Sequence, residues 1–593
     1  MTWIDWVVVA ASLVFVTFVG LWFTKRASGS AEDFFVGGRS VPWWLAGTSI
    51  LATSFASDTP LHTTRMIRES GLAGAWFYWS GIFSMIVVAF LFAPLWRRSG
   101  VVTDNELMEL RYTGKPAAML RGGMAIYKTL FLEILTMAWV TLGMTKIIKV
   151  IMDLPDTVAL PLLGAVPSEI AVVVALILMT MAFTAASGFW GVVATDFIEF
   201  CIAMVGAVVL SVVAISKVGG IDKLKEGLAA SELGPSATDM LPDFSGERFT
   251  FLAMGVFLGV QWWANAGIDG SGQRAQRFLS CKDERHAIAA GIWGLAVQWL
   301  IRSWPWYLAA LASVILYPDM VDHESVYPKM IADLLPVGVK GLMVASFISA
   351  FVSTITSHYN LTASYAVNDV YRRFMVKGRS AKHYVSASRW ATVLIAGLAG
   401  VLALLLPSVL DAFRFKMELM AGLGLVYVLR WFWWRVNAWT EIAALGASIV
   451  SAVGLKTFME SSPETAANDS ALRLLLVVTI SAIAAIGTAL LTKPEPMEKL
   501  QEFFVRVRPP GVWGPVAAGT GFESKHIPPK TWAHMGAALV FILAGMTGIG
   551  KVCLAEPALG LGLLAVSTVC GVWLLRSVFG GYTAEPVVDS DGV

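Results

Sequence analysis

Apolar runs of about 20 residues recur along this chain, separated by short polar stretches. A run of that length is what an α-helix needs to cross the hydrocarbon core of a bilayer. The pattern predicts about fifteen transmembrane helices, at roughly 4–23, 42–61, 72–95, 122–145, 168–186, 190–215, 250–270, 287–316, 339–365, 387–406, 411–433, 437–455, 472–491, 531–550 and 556–579. Two of these runs are interrupted. In "WWLAGTSILATSFASDTPLHTT" small and hydroxyl residues lead into Asp58, Thr59 and Pro60. In "GVFLGVQWWANAGIDGSGQRAQR" Gly259, Gly267, Gly270 and Gly272 surround Asp269. Gly and Pro at membrane depth release backbone groups, which are tolerated only where protein or a water-filled cavity receives them. The breaks lie five spans apart, and an odd offset places them in opposite orientations. The expected architecture is an all-α polytopic membrane protein with the inverted five-helix repeat of secondary transporters, the repeats falling at about 40–216 and 249–435. An extra helix within 1–30 precedes this ten-helix core (31–435). Further helices follow in 436–593, with a Pro/Gly-rich loop near 492–530.

A third segment breaks the apolar pattern differently. "ASFISAFVSTITSHYNLTAS" is long enough to span, yet it is dense in hydroxyls and carries His358 and Asn360. Hard cations want oxygen ligands, several at once. Ala350, Ser353 and Thr354 fall at i, i+3 and i+4, on one helical face. They can present a carbonyl and two hydroxyls, and the broken helix at Ala52–Phe55 can add carbonyls. A neutral cage of this kind suits Na⁺ and suits a proton poorly, because nothing in it titrates. The competing explanation is that the hydroxyls bond back to helix carbonyls one turn earlier. Asp196, in "GFWGVVATDFIEF", is an acid on an apolar helix, and ionisable groups at that depth are functional by default.

Composition and charge sharpen this picture. Of 593 residues 56% are hydrophobic and 15% charged, with a mean hydropathy of +0.68; a soluble protein carries about a quarter charged residues. Loops on alternate sides divide the 44 basic residues unevenly, roughly 26 to 15, when the N-terminus is placed outside. The expected topology is therefore N-out and C-in, in the cytoplasmic membrane. Cys201, Cys281, Cys553 and Cys570 have no metal-site or disulfide spacing. Nucleotide-binding, zinc-protease and serine-hydrolase motifs are not found, and no catalytic constellation points to an enzyme. Nothing in the sequence suggests an organic cofactor, a nucleic-acid partner or an obligatory protein partner.

Several motifs occur in order: "EDFFVGGRSVPWWLAGTSILATSFAS", "FAPLWRRSGVVTDNELMELRY", "GFWGVVATDFIE", "AQRFLSCKDERHA" and "VKGLMVASFISAFVSTITSHYNLTASYAVNDVYRR". Together they resemble the sodium:solute symporter family, which includes sodium/proline, sodium/galactose and sodium/sialic acid transporters. The resemblance runs from about residue 4 to 435 and implies the leucine-transporter type of fold. It places the family's principal sodium site on Ala52, Phe55, Ala350, Ser353 and Thr354. Asp196 falls where some members have a second sodium position or an ion exit path. Glu199 stands where the family usually has Gln.

The resemblance weakens where substrate is held, and the solute class does not transfer. Candidate lining residues are Asp58, Thr59, Tyr78, Trp79, Trp262, Trp263, Asn265, Asp269, Gln273, Gln298 and Arg302, whose aromatic faces and polar heads suit a small polar organic solute. Arg302 is expected to pair a carboxylate, of the solute or of Asp269. The expected activity is Na⁺-coupled solute uptake by alternating access. Its rivals are proton coupling through Asp196, Glu199 or Glu133, and a transporter-like sensor without net transport.

Overall fold

Helices built from the apolar runs make up nearly all of the described structure, a computed structural model that covers residues 1–24, 39–52, 56–101, 104, 106–160, 164–183, 189–241, 250–459 and 466–581. Ten helices among these are long and apolar enough to cross a membrane, and three shorter apolar helices accompany them, Trp3–Phe15, Ser168–Ala182 and Phe251–Gln261. Large apolar side chains such as Val14, Leu178, Val212, Leu394 and Val450 are exposed on the outside of the bundle. In water that distribution would be costly; in lipid it is the expected one. The all-α expectation needs one small amendment. Thr157–Leu160 and Gly164–Pro167 pair as an antiparallel hairpin between two helices.

Both expected interruptions are present. The first separates Trp43–Ala52 from Thr59–Ser70. Pro60 sits in the first turn of the second half, where a missing N–H costs nothing. The second separates Phe251–Gln261 from Gln273–Ser280. Here the freed backbone is rebonded locally. Asn265 Oδ1 accepts from Gly267 N at 2.9 Å, and Asp269 Oδ1 accepts from Ser271 N at 3.0 Å. Gly270 and Gly272 take φ of 78° and 77°, values that side chains resist.

Each break is held against a glycine of another helix. A Cβ at Gly143 would stand 3.0 Å from the Asp58 Cβ, and one at Gly424 only 2.2 Å from the Trp263 carbonyl oxygen. The hydroxyl-rich helix is continuous from Val339 to Ser364 and extends as a π-helical stretch to Met375. It packs along Phe189–Val218, the helix that carries Asp196, and along Trp3–Thr24.

The last third of the chain is packed into the rest. Trp513 Nε1 donates to the Trp431 carbonyl at 2.8 Å, and its ring stacks near Phe503 and Phe504. Arg111 lies over the Phe503 and Trp513 rings. Trp431, Phe503, Phe504 and Trp513 form a second buried cluster with Trp96 and Phe92.

Candidate transport site

A cavity of about 450 Å³ opens where the two breaks meet. That is within the range of small-molecule sites, about 300–1,000 Å³. Two π-helical turns present residues here, Phe257–Gln261 and Val297–Arg302, and a third, Lys128–Glu133, ends just before the wall residue Thr136. An extra residue in a helical turn rotates the side chains that follow it, and such turns gather at functional sites.

Of the expected lining residues, Asp58, Thr59, Tyr78, Trp262, Asn265, Gln298 and Arg302 stand in the cavity wall. Asp58 Oδ2 accepts from Trp139 Nε1 at 3.1 Å and lies 3.7 Å from His62 Nε2, while Oδ1 is buried without a hydrogen-bond partner among the described residues. Tyr78 Oη and His62 Nδ1 are 2.6 Å apart with their rings stacked. Arg302 is buried, its guanidinium 5.2 Å from the Trp306 ring centre.

Three expected lining residues are elsewhere. Trp79 is fully buried behind the wall and donates to Oη of the wall residue Tyr307 at 2.9 Å. Trp263 turns back on its own helix, donating to the Gly259 carbonyl at 2.7 Å. Asp269 is a structural anchor. It accepts from Arg430 Nε at 3.2 Å and Trp431 Nε1 at 3.0 Å, and Arg430 also faces Glu441 at 3.6 Å. The pairing of Arg302 with Asp269 is therefore not made. Gln273 begins the helix after the second break, and its side chain lies outside the described residues.

The wall also holds groups that sequence reasoning left out. Lys416 donates to Thr136 Oγ1 at 2.7 Å and stands over the Trp139 ring. His358 lines the cavity and contacts Glu133, the partner that this intramembrane acid lacked in the sequence. Gln261 donates to the Phe77 carbonyl at 2.7 Å. A lone Lys in "FRFKMELMA" was the available signal, and it reads equally as a helix end.

The expected ion site is described in part. Ala350 and Thr354 are buried and Ser353 half-buried on the hydroxyl-rich helix. Back-bonding accounts for Thr356, which donates to the Val352 carbonyl at 2.8 Å, and for Thr362, which donates to that of His358. It does not account for Thr354, whose hydroxyl makes no hydrogen bond among the described residues and which lines the cavity together with Ile50 and Leu51 of the first half-helix. Ala52 is the last described residue of that half-helix before the break. Phe55 and the side chain of Asp196 lie outside the described residues, though Asp196 is within the helix Phe189–Val218.

The sodium:solute symporter family matches residues 34–450. The chain belongs to this family. Among its relatives, a sodium/glucose cotransporter of Vibrio parahaemolyticus is 26% identical over 516 residues, covering 83% of this chain and 91% of that one. Sodium/glucose cotransporter 4 of Danio rerio is 26% identical over 561 residues, covering 84% and 80%. A solved structure described as the substrate-bound outward-open state of a Na⁺-coupled sialic acid symporter aligns with a TM-score of 0.62 at 21% identity, covering 84% of this chain and 99% of that one. The symporter's fold is thus the leucine-transporter type, and it is a multi-pass membrane protein.

Proposed function

We propose that this symporter couples inward movement of Na⁺ to import of a small polar organic solute by alternating access. It would sit in the cytoplasmic membrane with its N-terminus outside and C-terminus inside. The solute belongs to the sugar, amino acid, sialic acid or carboxylate classes. The reading rests on one observation above all: Thr354, whose hydroxyl makes no hydrogen bond among the described residues, lines the cavity together with Ile50 and Leu51 of the first half-helix. A small cation held by Ala52, Phe55, Ala350, Ser353 and Thr354, with Asp196 on its path, ties that half-helix to the hydroxyl-rich helix. Coupling follows because such a cation binds one conformation more tightly than the other.

Thermal stability of the purified protein in Na⁺ against K⁺ tests the ion site. Na⁺ alone is expected to raise the melting temperature, and the Ser353→Ala/Thr354→Ala double variant to lose that rise. An equal response to K⁺ would count against the cage. A second reading, proton coupling, draws on the Glu133–His358 contact at the wall. Solute uptake into vesicles driven by a pH gradient in choline buffer, and abolished by Glu133→Gln, would favour it.

A further inference from the structure

A second cavity, of about 880 Å³, lies apart from the transport site. It sits at the end of the bundle where the hydroxyl-rich helix finishes at Met375 and the helix Ala381–Leu405 begins. Ala118 and Arg121 of the helix Gly114–Tyr127 form its opposite wall. Inside, the charges answer one another. Arg121 Nε donates to Asp369 Oδ1 at 2.6 Å, and Arg121 and Arg373 share Glu109 at 2.6 and 2.7 Å. Asp104 accepts from Lys128 Nζ at 2.8 Å. Arg372 and Lys377, also in the lining, are different. Both are exposed, and neither makes an ion pair among the described residues, with Glu106 of the same lining or with any other acid. Arg372 is nevertheless held in place, its guanidinium 5.1 Å from the Tyr384 ring centre. Tyr384 Oη in turn donates to the Val376 carbonyl at 3.0 Å and accepts from Arg379 N at 3.3 Å, closing the turn that carries Lys377.

The surroundings of this basic rim are apolar. Phe374 of the lining is exposed, and so are Met119, Met375 and Val385, each next in sequence to a lining residue. Exposed side chains of this kind on a membrane bundle face acyl chains. Trp390, exposed further along Ala381–Leu405, is an aromatic of the type that gathers at the membrane–water interface. We propose that the cavity binds the headgroup of an anionic phospholipid, its phosphate taken by Arg372 and Lys377 and its acyl chains lying on the apolar surface outside. Basic pockets between helices at the edge of the membrane suit such headgroups. A soluble anion meets the same two cations but makes no use of the apolar surface. A zwitterionic lipid uses that surface but brings a cation of its own to Arg372 and Lys377. A bound lipid would join Gly114–Tyr127 to the end of the hydroxyl-rich helix, whatever ion and solute the transport site takes.

The test is the melting temperature of the full-length protein in an uncharged detergent, titrated with short-chain phosphatidylglycerol, short-chain phosphatidylcholine or glycerol 3-phosphate. A rise with phosphatidylglycerol, well above that with the other two, is expected. The double variant Arg372→Gln/Lys377→Gln is expected to need about tenfold or more phosphatidylglycerol for the same rise. The variant Lys282→Gln/Arg285→Gln, which removes as much charge elsewhere on the surface, should respond as the unaltered protein does. Phosphatidylglycerol retained by each protein, counted by native mass spectrometry, gives an independent reading should Arg372→Gln/Lys377→Gln not fold well enough to melt cleanly. The proposal is overturned if phosphatidylcholine stabilises as much as phosphatidylglycerol, or if Arg372→Gln/Lys377→Gln responds unchanged. It is overturned equally if both double variants lose the response alike, which would assign it to overall charge. Stabilisation by glycerol 3-phosphate as strong as that by the lipid would give the cavity to a soluble anion instead.

Discussion

Thr354 and Thr356 are two positions apart on one helix and therefore on nearly opposite faces. One hydroxyl is spent on the helix's own carbonyl; the other opens on the cavity. Thr354→Ala is accordingly expected to lower Na⁺ affinity about tenfold, some 1.4 kcal/mol, while leaving the Na⁺-free melting temperature nearly unchanged. Thr356→Ala should do neither, and Na⁺ titration of the two variants decides it. The spacing of Ala350, Ser353 and Thr354 made the first half of this contrast legible. Asp269 shows the limit. Its depth and its glycine neighbours marked it as important, but Arg430 lies 161 positions away and no local pattern announces the pair. Trp79 and Trp263 were misplaced for a related reason. Trp79 follows the 3-10 turn Leu72–Ala75 and Trp263 the π-turn Phe257–Gln261, and beyond such turns the helical phase resets, so spacing no longer says which face a side chain takes.

The two broken helices were the most legible elements, because Gly, Pro and clustered hydroxyls have few other uses at membrane depth. The π-turns that bring Gln261 and Arg302 to the cavity, and Glu133 to His358, leave no comparable mark. Below the second break, Asp269 joins the break to Arg430, Trp431 and, through Arg430, Glu441 of the helix Ala438–Phe458. Asp269→Asn leaves Arg430 with a weakened buried partner. A loss of roughly 3 kcal/mol is expected, the cost typical of breaking a buried pair. Adding Glu441→Gln should cost less than the sum of the two single changes, because both act on one guanidinium. Unfolding midpoints of the singles and the double check this; strict additivity would show that Arg430 does not join them.

At the scale of the whole molecule, one end of the bundle is tied by a network that joins segments far apart in sequence. Glu324, in the loop after Glu284–Leu316, accepts from Lys146 Nζ at 2.8 Å and from the N–H groups of Leu410 and Val409 at 2.9 and 3.1 Å. Arg65, after the first break, reaches Glu324 at 3.4 Å and Asp411 at 3.2 Å. Burial pushes the Glu324 carboxyl up, but Lys146 and the two N–H groups outweigh burial and hold it below the usual carboxylate range. A lowered folded value stabilises the protein above the unfolded value, about 4.3 for Glu. That contribution is lost as pH falls through the folded value. The melting temperature is therefore expected to drop on acidification below about pH 4, and Glu324→Gln to start lower and flatten that part of the profile. An unchanged acid limb in the variant would assign the drop to other carboxylates. None of these long-range ties, nor the packing of Trp513 against Trp431, could be read from the sequence, since each depends on the assembled bundle.

The glycines at the two breaks give the molecule a property of another sort. Under the proposed alternating access the half-helices must tilt, and Gly143 and Gly424 are points where other helices press against the two breaks. A methyl group added at Gly424 would overlap the Trp263 carbonyl, and the strain, about 1–3 kcal/mol in a packed site, would be felt only in conformations that keep this contact. A single alanine is thus a lever on the resting state. Gly424→Ala should empty the conformation described here in favour of whichever one parts the two segments, and one such substitution would hold a single conformation still for imaging.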